Sequence, residues 1–187
     1  MTTGAREANV LGALAQAITD RTASAVAAAA GQNVSAAAAL SALHHFLDRP
    51  TLDQLRDVLG LTHSGAVRLV DRLAEAGLVA REPGDDKRSR SVALTAAGGA
   101  VAERVAAART AVLDDLLVDL SPTERDTLGG LLDRLMAGVV RGKDGGAWIC
   151  RLCDLGACER SEGRCPAANA AAEKYGPVRP GPPLADP

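Results

Sequence analysis

The segment at residues 51–98 constrains the fold of this chain more than any other part of the sequence. It reads TLDQLRDVLGLTHSGAVRLVDRLAEAGLVAREPGDDKRSRSVALTAAG. Apolar residues recur at helical spacing in its first half, and two short β-prone runs flank a charged stretch in its second half. The pattern predicts two short helices followed by a β-hairpin.

The first half carries the signals of two helices joined by a tight turn. Thr51, followed three residues later by Gln54, is a capping-box pattern that satisfies two backbone N–H groups at a helix start. Gly60 suits the left-handed position after a helix end, and Thr62 can cap a second helix that runs to about Ala76. One face of this second helix is apolar, and its other face carries hydroxyl, guanidinium and carboxylate groups.

The second half predicts a charged hairpin. The β-prone runs at about 78–81 and 91–94 enclose the turn-forming stretch EPGDDKRSR. The order helix, turn, helix, strand, turn, strand is that of a winged helix-turn-helix. We therefore predict a mainly α fold (α+β in its wing), with a two-stranded wing and a DNA-binding lobe at about residues 51–95.

Long helices are predicted on both sides of this lobe, at about 9–30 and 96–141, within one domain that spans residues 9–141. Their apolar surface exceeds what one small winged domain can bury, so we expect them to form a helical dimerisation region. Residues 1–8 are expected to be a flexible N-terminus. Residues 142–175 form a polar, cysteine-rich tail that no core demands, and the proline-rich end at 176–187 is expected to be disordered.

The sequence resembles the MarR family of bacterial transcription factors over residues 9–141. The resemblance rests on LGLTHSGAVRLVDRLAEAGLV at 59–79, on REPGDDKRSRSVALTAAG at 81–98 and on the long flanking helices. Its most specific part is the Asp-Lys-Arg run at 86–88 followed by Leu-Thr-x-x-Gly at 94–98. The resemblance implies a homodimer that binds a near-palindromic double-stranded DNA operator, usually as a repressor, and that often responds to a small-molecule effector.

The second helix of the lobe supplies five candidate DNA contacts. Thr62, His63 and Ser64 lie at its N-terminus, where free N–H groups and the helix dipole favour a phosphate. Arg68 and Arg72 are the candidates for reading base edges, since a guanidinium pairs with guanine through two hydrogen bonds. In the wing, three further basic residues suit contacts with the DNA backbone or the minor groove: Lys87, Arg88 and Arg90. Gly65 departs from the family, because a larger polar residue is expected at this helical position.

Composition limits the remaining classes of function. The formal net charge of −2 gives no overall attraction to a polyanion, so DNA binding must come from a local basic patch. No apolar run approaches the ~20 residues of a membrane span, and the N-terminus lacks the pattern of a secretory signal. We therefore expect a cytoplasmic protein with no membrane partner.

All four cysteines lie within the tail, with the spacing C-x2-C-x4-C-x6-C-P: Cys150, Cys153, Cys158 and Cys165. Cytoplasmic thiols usually stay reduced, which favours a metal or redox site over structural disulfides. Four clustered thiolates can hold a zinc ion or an iron–sulfur cluster, and the sequence does not decide between them. A metal-free thiol switch, or a tail without a functional site, are the alternatives.

Two interpretations of the whole chain follow. The first is a DNA-binding regulator whose tail responds to redox state or metal, because ordering or melting a tail beside the dimer helices would change the spacing of the two recognition helices. The second is a protein-interaction winged-helix module with a structural zinc knob. An enzyme, such as a thiol oxidoreductase using Cys150 and Cys153, is not expected, because the sequence lacks a thioredoxin-like βαβ context and a catalytic constellation.

Overall fold

The computed structural model describes residues 4–83, 90–142 and 148–176. Its helices and strands, in chain order, are α1 (Ala5–Ala30), α2 (Val34–His45), α3 (Leu52–Leu59), α4 (His63–Glu75), β1 (Val79–Pro83), β2 (Arg90–Leu94), α5 (Ala96–Leu117), α6 (Pro122–Gly142) and α7 (Pro166–Tyr175). Two short 3-10 turns, Ile149–Leu152 and Arg160–Glu162, precede α7. This order confirms the predicted mainly α fold with a two-stranded antiparallel wing.

Helix α1 begins at Ala5, so the prediction of a flexible segment over residues 1–8 is wrong from residue 5 onward. Ala5, Arg6, Glu7 and Ala8 are all good helix formers, and the acidic Glu7 in the first turn is favourable at the positive end of the helix dipole. Residues 1–3 lie outside the described residues.

The predicted helix boundaries around the turn are confirmed in detail. The Thr51 hydroxyl accepts a hydrogen bond from the Gln54 N–H at 3.3 Å, and the Gln54 side chain accepts one from the Thr51 N–H at 2.8 Å. Gly60 ends α3 in the left-handed conformation, with a φ of 65°. The hydroxyl of Thr62 caps α4 by accepting from the Gly65 N–H at 3.2 Å.

Helix α2 forms the centre of the main core. Its residues 36–43 are all buried, and most of them are alanine, which lets the neighbouring helices approach closely. Helices α1, α3, α4 and α5 and the base of the wing pack around it through apolar side chains. The largest fully buried side chains of this core, including one from α2 itself, are Val26, Leu40, Leu55, Val70, Leu73 and Val105. This core fixes α4 to the rest of the lobe by its apolar face.

The wing pairs β1 with β2 in antiparallel register, from Val79 opposite Leu94 to Pro83 opposite Arg90. Pro83 is tolerated because it lies at the strand end, where a missing N–H costs little. Strand β2 is also tied to the turn before α3, because the Val92 N–H donates to the Pro50 carbonyl at 2.9 Å. The wing tip, residues 84–89, lies outside the described residues.

A compact junction joins the end of α4 to the start of α5, and we call it the Thr95 junction. The Thr95 hydroxyl donates to the Gly77 carbonyl at 2.7 Å and accepts from the Gly98 N–H at 3.0 Å. The Thr95 N–H donates to the Leu78 carbonyl at 3.1 Å. Gly98 approaches this same carbonyl so closely that a Cβ atom on residue 98 would lie 1.9 Å from its oxygen.

The C-terminal tail is more structured than the sequence indicates. Val140 of α6 forms a second, small core with Cys165, Ala167 and Ala170, so the expectation that no core demands the cysteine segment is wrong. The preceding residues 143–147, and the end of the chain at 177–187 for which disorder is expected, lie outside the described residues.

In the described ranges, no single helix is long and apolar enough to cross a membrane. Helices α1 and α2 together meet the length and composition criteria, but they are bent by 76° at the break between them.

The Thr95 junction generates a stability prediction. Gly98→Ala places a methyl group against a backbone carbonyl and must push α5 away from the wing, so we expect a loss of about 3 kcal/mol and a fall in Tm of roughly 6–12 °C. The control is Gly99→Ala, whose Cβ meets no atom within 4 Å and which should leave Tm unchanged or slightly raised. Equal melting temperatures for the two variants, measured by circular dichroism at one protein concentration, would contradict this account of the junction.

Candidate DNA interface and cysteine cluster

Helix α4 has the amphipathic form of a recognition helix. Ala66, Leu69, Val70 and Leu73 are buried against the core on one side of the helix. The opposite side is exposed, and Arg68 and Arg72 lie on it four residues apart. Residues at this spacing point in similar directions from a helix, so both guanidiniums can reach one surface.

The N-terminus of α4 brings together the three residues predicted to contact a phosphate. Thr62, His63 and Ser64 are all exposed, and the hydroxyls of Thr62 and Ser64 lie 3.4 Å apart. Within the described residues, no hydrogen bond engages the N–H groups of His63 and Ser64, so these amides can hold an anion at the positive end of the helix dipole. The His63 ring also lies near α3, with its Nδ1 atom 3.6 Å from the Asp53 carboxylate.

Gly65 has a local role that explains its departure from the family pattern. It is the residue whose N–H donates to the capping hydroxyl of Thr62. A Cβ atom on residue 65 would lie 3.1 Å from that hydroxyl oxygen, which is closer than a side chain ordinarily comes. Glycine therefore leaves the helix cap undistorted.

The arginines of the lobe fall into two groups. Arg49 pairs with Glu82, Arg56 with Asp53 and Asp57, and Arg81 with Asp71, so the charge of each of these guanidiniums is balanced. In contrast, the structure gives Arg68, Arg72 and Arg90 no ion pair with any other described residue, and all three are exposed. Within the described ranges these three are the arginines of the lobe without an ion pair, and Glu75 of α4 is an exposed carboxylate that also has none.

The wing predictions are partly outside the described residues. Lys87 and Arg88 lie in the segment 84–89, and their roles stay predictions. Arg90 is exposed at the first position of β2, opposite Pro83. The proposed backbone or minor-groove contact of Arg90 also stays a prediction.

Sequence reasoning missed the ion pair between Asp71 and Arg81. These residues lie on the outer side of α4 and on β1, so their pairing ties the recognition helix to the wing. The two residues are ten positions apart, on either side of a turn, and this spacing matches neither helical nor strand periodicity. No sequence pattern therefore predicts the ion pair.

The structure brings the four cysteines of the tail together as two thiol pairs, which we call the cysteine cluster. All four are free thiols. Cys150 and Cys153 are hydrogen-bonded to each other, and so are Cys158 and Cys165. Cys150 also interacts with Cys165, and Cys153 with Cys158, so each thiol senses the charge of one thiol in the other pair. Among the residues that the structure describes, no group of three or more Cys, His, Asp or Glu side chains is already gathered in the arrangement of a metal site.

Burial and charge distinguish the individual thiols. The hydrogen bond to Cys153, together with burial, raises the pKa of Cys150. The same hydrogen bond lowers the pKa of Cys153 against the opposing effect of burial. The positive charges of three guanidiniums lower this pKa further, and they belong to Arg109, Arg151 and Arg160. Burial raises the pKa of Cys158, and the neighbouring charge of Cys165 adds to the effect.

Comparison with known proteins gives consistent matches. A model of the MarR family matches residues 31–89. A probable transcriptional regulator from Pseudomonas aeruginosa is 31% identical, with a TM-score of 0.52, over 66% of this chain and 95% of that protein. A MarR family protein from Bacillus stearothermophilus is 24% identical, with a TM-score of 0.65, over 74% of this chain and 98% of that protein. A mutant of the Staphylococcus aureus regulator MepR, solved with a bound oligodeoxyribonucleotide, is 16% identical, with a TM-score of 0.55, over 71% of this chain and 97% of that protein.

The fold, the exposed face of α4 and these matches define a winged-helix transcriptional regulator of the DNA-binding class. The chain belongs to the MarR family, as the sequence resemblance predicted. This family consists of transcription regulators, which is consistent with the expectation from the sequence that the chain is not an enzyme. Each of the three structural matches leaves more than a quarter of this chain uncovered.

The unpaired arginines of α4 generate a prediction for DNA binding. Arg68→Ala and Arg72→Ala should each weaken binding to the specific operator by roughly 5–150-fold, since a lost bidentate base contact is worth about 1–3 kcal/mol. Binding to unrelated DNA should weaken much less. The matched control is Arg21→Ala, which removes the same charge from a guanidinium bonded to Asp115 at 2.7 Å. Fluorescence anisotropy with labelled operator DNA provides the measurement. If the control weakened operator binding as much as the α4 variants, base contacts by Arg68 and Arg72 would be ruled out.

Proposed function

We propose that the protein is a transcriptional repressor that binds a near-palindromic DNA operator as a homodimer. The observation that carries the proposal is the exposed, unpaired Arg68 and Arg72 on a capped amphipathic helix beside a wing. In a two-fold dimer, two copies of α4 would enter successive major grooves about 34–36 Å apart. A dimer bound in this way would block a promoter that overlaps the operator.

An exposed apolar surface on α6 supports the homodimer. Four of its side chains recur at helical spacing and are each 48–51% exposed: Leu131, Leu132, Leu135 and Val139. Helix α1 adds Val10, Leu11 and Leu14, each nearly half exposed. We call these seven side chains the apolar stripe. A soluble monomer rarely leaves such a surface uncovered, and a second copy of the same surface would bury it by symmetric packing.

The charge distribution supports DNA as the ligand rather than another protein. Although the net charge of the chain is −2, the guanidiniums of Arg68, Arg72 and Arg90 are exposed on the lobe and form no ion pair with any described residue. Phosphate neutralisation by such groups releases counterions, so operator affinity should fall steeply as salt concentration rises. A winged-helix module that recognised a protein would lack this dependence on DNA phosphates.

The position of the cysteine cluster supports a regulator that responds to metal or redox state. Leu152, next to Cys153, packs against the main core that holds α4. Cys158 and Cys165 pack against α6 and α7, beside the helix that carries most of the apolar stripe. A change of state at the cluster would therefore act on the lobe and on the expected dimer helix together.

The apolar stripe generates a test of the whole proposal. Leu135→Glu puts a charge in the centre of the expected interface, where its burial would be strongly unfavourable, so the protein should become monomeric at micromolar concentration. Because two half-sites must be bound at once, operator affinity should fall by at least ~100-fold with the loss of the dimer. Light scattering after size-exclusion chromatography and anisotropy with operator DNA provide the two readouts.

The control for this variant is Val34→Glu, which introduces the same charge at an exposed apolar position at the start of α2. It should leave both the dimer and operator binding intact. If Leu135→Glu remained a dimer, the apolar stripe would not be the interface; if it became a monomer with full operator affinity, binding by a homodimer would be excluded.

A further inference from the structure

We propose that Cys150, Cys153, Cys158 and Cys165 together form a binding site for one thiophilic metal centre, a zinc ion or an iron–sulfur cluster, held by four thiolates. The site goes beyond the DNA-binding function and does not depend on it. Three properties of the four thiols favour it: their mutual placement, their backbone support and their electrostatic surroundings.

The mutual placement of the sulfurs favours one shared centre. A hydrogen bond joins Cys150 to Cys153 and another joins Cys158 to Cys165, and the two pairs are close enough to act on each other electrostatically. The chain contains no other cysteine. Zinc and iron–sulfur clusters both accept four cysteine ligands of this kind. Since the sulfurs are not yet gathered around one point, binding requires the two pairs to close on each other by side-chain rotation.

Tight turns support each part of the site. The Cys153 N–H donates to the Cys150 carbonyl at 2.9 Å, which closes a turn around the first pair. Asp154 holds the next turn, because its carboxylate accepts from the N–H groups of Gly156 and Ala157 at 2.8 and 3.2 Å. Cys165 occupies the N-cap position of α7. The ligands are therefore presented by ordered backbone rather than by an extended tail.

Guanidiniums near the thiols also favour a thiolate-bound metal centre. Four thiolates around a doubly positive centre leave a net negative charge in a mostly buried site, and this charge needs nearby cations. The structure supplies them: Arg160 Nη1 lies 3.8 Å from Cys150 Sγ. Arg109 of α5 and Arg151 also act on Cys153. Guanidiniums from two parts of the chain thus surround the cluster.

The core that supports this segment is small. The buried side chains of the second core are Val140, Cys165, Ala167 and Ala170, most of which are small. A segment with so little apolar area to bury usually needs a metal or disulfides for stability. Cys150 and Cys165 are only 5% and 4% exposed. A metal centre bound by them would therefore lie inside this segment and would cross-link the short turns to α6 and α7.

The experiment begins with the full-length protein purified without oxygen, in which zinc, iron and sulfide are measured. We expect either about one zinc per chain or iron with sulfide and visible absorption; the first identifies a zinc ion and the second a cluster. Metal-free protein is then prepared with a chelator and a reductant, and Co²⁺ is added as the probe. Four thiolates should give the thiolate charge-transfer and tetrahedral absorption bands of Co²⁺, saturating at one equivalent.

Each of the four Cys→Ser variants should lose or shift these bands, whereas Ser161→Ala should keep them, because Ser161 is exposed in the same segment. If a variant fails to fold, the Co²⁺ titration of the metal-free wild-type protein still decides the matter. The proposal is overturned if all four thiols remain reduced and titratable but bind no Co²⁺. It is also overturned if the protein purified without oxygen contains no metal and Cys150–Cys153 or Cys158–Cys165 disulfides.

A link between this site and DNA binding rests on the proposed function and is tested separately. Operator affinity should differ by roughly 5–150-fold between metal-loaded and metal-free protein, and this difference should vanish in the Cys150→Ser, Cys153→Ser double variant. Metal binding without any effect on operator affinity would sustain the metal site and refute its regulatory role. Absence of operator binding in both states would refute the proposed function alone.

Discussion

The Thr95 junction joins the end of the recognition helix to the wing and to the start of α5. One hydroxyl there donates to the carbonyl that follows α4 and accepts from the first turn of α5, so three elements meet at a single side chain. Gly98 allows α5 to approach the backbone of Leu78 at a distance that any side chain would prevent. Helix α5 continues into the helical region expected to carry the dimer interface. A shift of this helical region would therefore change the orientation of α4 through the junction.

The charge of the lobe explains how a chain with a net charge of −2 can belong to a DNA-binding family. Acidic partners neutralise the arginines that support the structure, such as Arg81 with Asp71 and Arg56 with Asp53. The arginines left without a described partner are those on the outer face of α4 and at the start of β2. The guanidiniums without a described ion pair thus lie where the fold would place DNA, and association should owe more to local contacts than to long-range attraction.

The sequence predicted the lobe well because local rules determine its elements. Capping by Thr51 and Thr62 and the left-handed Gly60 all act within four residues, and each was found where expected. Contacts between distant residues were not predictable in this way: the Asp71–Arg81 pair has no periodic signal. The same limit applies to α7 and the second core. Residues 166–175 are rich in alanine and carry no leucine, isoleucine or valine that would predict burial. Ala167 and Ala170 are buried because they pack against Val140 of α6, and no short sequence pattern encodes this tertiary contact.

The most direct test of the central claim is hydroxyl-radical footprinting on an operator selected from random DNA by the purified protein. If two copies of α4 enter successive major grooves, protection should appear as two symmetric patches whose centres lie about 10–10.5 base pairs apart. A single protected patch, or uniform protection without two-fold symmetry, would contradict a dimer that reads the operator through the outer face of α4.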